Sequence, residues 1–129
     1  MQMLNAEHQN AACRALLANV VLLAVADACS QPPKRRTDEK RPSLPISTDA
    51  FTAMRFLFDE SFSGLNEYAT WLDIDAGQFR TRMLKIMNDS SPVSINGFDA
   101  LQRRNFKFNY THWFKSKNLD FSELEEADD

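Results

Sequence analysis

Four polar side chains, Gln78, Thr81, Arg82 and Lys85, are spaced so that a helix gathers them on one face. Opposite them, at 100° per residue, Phe79, Met83, Ile86 and Met87 fall within about 100° of one another. Arginine can give two bonds to guanine and glutamine can pair twice with adenine, while threonine and lysine reach phosphates or base edges. The chemistry such a face offers is recognition in a DNA major groove. The same pattern also describes the solvated face of a core helix or a protein contact. Arg80, and further on Arg103, Arg104 and Lys107, add cations suited to phosphate.

The helix that must carry this face is predicted from Ala76 to about Met87, with Asp75 as N-cap and Gln78 three residues later in position to reciprocate. Before it, Leu65, Tyr68, Ala69 and Leu72 recur at helical spacing, with Trp71 beside them, and predict a helix over 65–72. Two helices joined through so short a turn have the form of a helix-turn-helix, the first crossing the DNA backbone and the second entering the groove. Two positions depart from that form. Asp73 stands at the turn where a glycine usually accepts positive φ, and Arg82 stands near where the second helix buries an aliphatic residue. Met83 takes that place if the register shifts by one.

Ahead of this pair, Ser47-Thr48 as N-caps and Ala50, Phe51, Met54, Leu57 and Phe58 predict a helix of about three turns ending near 61–64. The first thirty residues lack Gly and Pro and predict a helix from about Ala6 to Ala28. Leu16, Leu17, Val20, Val21, Leu23 and Ala24 give it more than one apolar stripe, suited to the protein's own core, to docking or to a homodimer. From Ser30 to Pro45 four prolines surround Lys34 to Arg41, a run of net charge +3, which reads as a linker or exposed loop. Val93 and Ile95 before Asn96-Gly97 suggest a short β-hairpin near 93–98. Asp99 to Lys117 reads better as a helix than as a strand, although Phe106, Phe108 and Tyr110 alternate with polar residues. In that stretch Arg103, Arg104, Lys107 and Lys115 interleave with Phe106, Tyr110, Trp113 and Phe114, a mixture that either packs as core or grips phosphates and stacks bases.

The expected fold is therefore mainly α: a small helical domain with a helix-turn-helix-like core. The division is an N-terminal apolar helix (1–29), a Pro/Lys/Arg-rich linker (30–46), the helix-turn-helix-like domain (47–118) and an acidic tail (119–129) with one helical turn capped by Ser122 and Glu125. At 129 residues the chain is long enough for one core and too short for two.

Net charge is −3, yet the charges are segregated. Ala76 to Lys117 holds eight bases and two acids, Asp49 to Asp75 one base and six acids, and the last ten residues six acids and no base. The local field, which governs nucleic-acid binding, is thus basic where the polar helix face lies. The two cysteines, Cys13 and Cys29, stand about 160° apart and roughly 24 Å along a helix, beyond disulfide reach. They read as small buried hydrophobes in a reducing, cytoplasmic setting. Ala15 to Ala28 competes as a signal or lipid-anchor segment. Against that stand Glu7, Asn19, Asp27 and the absence of Lys or Arg before Arg14, and 14 residues fall short of the roughly 20 needed for a span. No membrane association is expected. His8 and His112 lie far apart, no Cys/His pair has metal-ligand spacing, and no phosphate loop or nucleophile elbow occurs, so neither an enzyme nor a cofactor or metal is expected.

The segments Met54-Arg55-Phe56-Leu57-Phe58-Asp59, Leu65 to Asp75 and Phe79-Arg80-Thr81-Arg82-Met83-Leu84, with Arg103 to Tyr110 and Trp113, resemble a pattern in small phage and prophage proteins of proteobacteria. The resemblance spans about half the chain. Those proteins are mostly uncharacterised, and some look like transcription regulators, so the resemblance implies a phage setting and a regulatory role. Two expectations follow. The first is a transcription regulator binding double-stranded DNA through Gln78, Thr81, Arg82 and Lys85, with Arg80, Arg103, Arg104 and Lys107 on phosphates. The alternative is a protein that docks on a host machine such as RNA polymerase, as an antitermination or take-over factor does.

Overall fold

The computed structural model describes residues 2–33, 46–62 and 64–127, with side chains over 9–33, 46–62 and 64–117. The basic run Lys34 to Arg41 and the side chains of the acidic tail lie outside these. Five helices form: α1 (Gln2–Ala28), α2 (Thr48–Phe58), α3 (Gly64–Leu72), α4 (Ala76–Met87) and α5 (Ala100–Ala127). Among the described residues there is no strand. The hairpin expectation reduces to one antiparallel bridge, Ile95 with Phe98, around Asn96 (φ 50°) and Gly97 (φ 86°). Those two positive angles are what the Asn-Gly pair supplies, but Pro92 and Ser94 beside it extend no ladder.

α2 packs against α1, α3 and α5. Ser47 caps it by accepting from the Ala50 N–H at 3.1 Å, and Ala50, Ala53, Met54 and Leu57 form its buried stripe. Phe58 meets Phe106 at 5.7 Å and Tyr110 at 5.0 Å, both edge-on, fixing α2 against α5. On the other flank Gly64 lets α3 approach: a Cβ there would stand 2.5 Å from the Phe56 ring.

The stretch 99–117 is helical as expected, and α5 continues to Ala127 through most of the segment expected as a tail. Asp99 and Gln102 start it with a full reciprocal cap: the Gln102 N–H donates to Asp99 at 2.7 Å and the Asp99 N–H to Gln102 at 2.9 Å. The alternation of aromatic and polar residues that suggested a strand resolves on the helix. Phe106 and Trp113 are buried, Tyr110 is half-buried, and Phe108 and Phe114 face out.

The C-terminal third of α1 enters the same core through Val25, Ala28 and Cys29. Its end carries no glycine; instead α5 reaches back. The buried Asn109 amide donates to the carbonyls of Ala28 and Ser30, both at 2.9 Å, and Asn105 donates to that of Cys29 at 3.3 Å. These side chains satisfy carbonyls that a helix end would otherwise leave open. The Ser30 and Ser47 hydroxyls meet at 3.3 Å beside this junction. Cys29 is buried as expected, whereas Cys13 is exposed, because α1 has left the core by that point. Burial pushes the Cys29 thiol up to about 12, with Asp99 adding to the effect, so at neutral pH it is an inert thiol. The helix Gln9–Ala28 is, by length and composition, long and apolar enough to cross a membrane, which corrects the count made on residues 15–28 alone.

Candidate nucleic-acid interface

α3 ends at Leu72 with Asp73 in the left-handed region, φ 59°. The Ile74 N–H returns to the Ala69 carbonyl at 3.0 Å and the Asp73 N–H to that of Thr70 at 3.4 Å, the bond pair of a Schellman stop. Asp73 therefore does the work expected of a glycine. Asp73→Gly is expected to raise stability by about 0.5–1 kcal/mol, because it relieves a β-carbon from that region. The check is a higher urea midpoint at unchanged slope; an unmoved midpoint would refute the strain.

Asp75 then caps α4, accepting from the Gln78 N–H at 3.0 Å. The expected return bond from the Gln78 side chain does not form, and that amide stays in solvent. Met83, the alternative to Arg82 for the inward position, is buried with Met87, while Phe79, Leu84 and Ile86 pack at the margin and Arg82 points out. Gln78, Thr81, Arg82 and Lys85 are all exposed, on one face of α4. The Thr81 hydroxyl donates to the Gly77 carbonyl at 3.0 Å.

Two of the expected phosphate contacts are corrected. Arg80 bends back across the bundle, its Nε donating to the Leu57 carbonyl and an Nη to Asn66 Oδ1, both at 2.7 Å. It clamps α4 to the end of α2 and to α3. Arg103 is 2% exposed. Its guanidinium donates to the carbonyls of Asp89, of Ser91 and Val93 at 2.7 Å, and of Asp99 at 3.3 Å, with the exposed Asp89 carboxylate 3.8 Å away. Four of the five donors in its rigid fork are taken by backbone oxygens, and at this burial the guanidinium is out of reach of a phosphate. Lys117 is likewise engaged, 3.6 Å from Asp59 and over the Trp113 ring. The Asp59 carboxyl is held below its ordinary value chiefly by the Ser61 hydroxyl, with Lys117 contributing.

Arg104 and Lys107 are exposed, and with the end of α4 at Met87 and Asn88 they line a pocket of about 190 Å³. Lys115 and Phe108 continue that outer face of α5. The free cations of the described surface near α4 are thus Arg82, Lys85, Arg104 and Lys107, bordered at the turn by Asp73 and Asp75. Sequence reasoning missed the roles of Asn105 and Asn109, for which polar residues on an otherwise apolar helix face were the signal. It also missed the structural role of Arg103. Among the described residues no group of three His, Cys, Asp or Glu could hold a metal ion. No protein-family model matches the chain, and neither a curated protein nor a solved structure matches it.

Proposed function

We propose that this protein is a DNA-binding regulator whose helices α3 and α4 act as a helix-turn-helix, with α4 in the major groove. The observation that carries the reading is the common exposure of Gln78, Thr81, Arg82 and Lys85 on a helix that follows a three-residue turn with left-handed Asp73. Arg82 and Gln78 address base edges, Lys85 the backbone, and Arg104 and Lys107 the phosphates beside the groove. The resemblance to phage and prophage proteins supplies the setting, regulation during phage growth or lysogeny.

Three neutralised phosphates, at Lys85, Arg104 and Lys107, release counterions at about 0.9 each, so log K against log salt should fall with a slope of about −2.7 per bound chain. Fluorescence anisotropy with a labelled duplex measures this. A slope near zero, or no binding at low salt, refutes the reading.

A second reading is favoured by Trp71 and Ile74, which are 66% and 42% exposed where the turn of a helix-turn-helix normally packs its apolar residues. An apolar edge beside a basic face also suits a protein partner such as host RNA polymerase. Recovery of polymerase subunits from nuclease-treated lysate, without any duplex binding, would move the assignment there.

A further inference from the structure

Helix α1 outruns the body of the protein. Gln9 to Leu16 are exposed one after another, while Val21, Val25 and Ala28 are buried. Two seams run along the helix. Leu17, Val21, Ala24 and Ala28 face the bundle. Cys13, Leu16, Val20 and Leu23 lie on an adjacent face and step by three, four and three residues, and Leu16 and Leu23 are 66% and 63% exposed. Cys13 with Val20 and Leu16 with Leu23 each recur after seven residues, the 3.5-residue period that holds an apolar seam against a neighbouring helix. Val20 and Leu23 also form one wall of a groove of about 230 Å³ between α1 and α2, whose other wall is Ala53 and Phe56.

We propose that a second copy of this chain fills this seam, its α1 running antiparallel, so that the free half of each helix lies along the groove of the other. With the two-fold axis beside Ala18, Leu16 faces Val20, Cys13 faces Leu23 and Gln9 faces Asp27 of the other copy. Every apolar residue then meets an apolar one, and the Asp27 carboxylate meets an amide donor. A parallel pair would instead set Asp27 against its own copy at two aligned helix C-termini, where like charge and both dipoles oppose it. Ala12, Asn19 and Ala26 flank the seam and leave room for close approach. Gln9 to Asp27 spans about 27 Å, so the two helices lie side by side over roughly five turns. A lipid surface fits less well: Val21, Val25 and Ala28 are buried against the bundle and Asn109 bonds the Ala28 carbonyl, so Gln9–Ala28 cannot cross a bilayer without leaving the core, and its free half lacks the Lys/Arg-rich polar face of interfacial helices.

Sedimentation equilibrium of the full chain under reducing conditions should give twice the 14.8 kDa chain mass. Leu16→Glu combined with Leu23→Glu, both exposed in the single chain, should return it to one mass with unchanged helicity by circular dichroism. Mild oxidation of Leu23→Cys should cross-link the new thiol to Cys13 of the other copy, while the unaltered chain stays uncoupled. Three results overturn the proposal: a single-chain mass for the unaltered protein, a dimer that survives the double substitution, or a Cys13 to Cys13 cross-link. Flotation of a monomeric chain with phosphatidylcholine vesicles would assign the seam to lipid instead and overturns it as well.

Discussion

Arg103→Met is expected to lower the stability of the folded chain by about 3 kcal/mol, since it strips donors worth roughly 1 kcal/mol each from part-buried carbonyl oxygens while roughly keeping the volume. The loop 89–93 has no other strong anchor. It runs between α4 and α5 without a strand ladder, and three of its carbonyls converge on this one guanidinium. Small domains hold only about 5–15 kcal/mol in total, so the variant should sit near the edge of folding. Arg103→Lys keeps the charge but replaces a planar fork with a point donor, and should recover less than half of the loss. Urea unfolding reads both. A loss below about 1 kcal/mol for the methionine variant would show that the loop is held by something else.

The second large effect is on binding. Arg82→Glu with Lys85→Glu reverses two exposed charges on the α4 face, and each lost groove or phosphate contact removes about 1–3 kcal/mol. Duplex affinity should fall at least about 100-fold, with the urea midpoint unchanged because neither side chain is buried. A parallel loss of stability would show that the face belongs to the folded core. Unchanged affinity would remove α4 from the interface.

Periodicity carried most of the helical architecture. Ser47 and Asp75 were recognisable as caps because a short polar residue preceded an apolar-periodic run, and α4 begins and ends where its pattern does. The register of α4 was legible because only Met83 continues the line of Phe79 and Met87. What the sequence could not show was which cations would be free. Arg80, Arg103, Arg104 and Lys107 look alike as letters. Their fates depend on where α2, α3 and the 89–93 loop place carbonyl oxygens, and that is a tertiary fact. The same holds for α1, whose apolar run gives no sign of the point near Leu17 where it leaves the bundle. The hairpin failed for a local reason: two correct turn residues do not make a ladder when a proline stands four residues ahead.

Dimethyl sulfate interference tests the central claim most directly, once a duplex retained by the protein has been selected from a random pool. Methylation at guanine N7 occupies the major-groove edge that Arg82 would bond. The proposed groove contact predicts that methylation of one or two guanines in the retained site abolishes binding, and that Arg82→Ala loses the preference for those guanines while keeping salt-sensitive affinity. Binding indifferent to N7 methylation at every guanine, or a pool from which no duplex is retained, would contradict it.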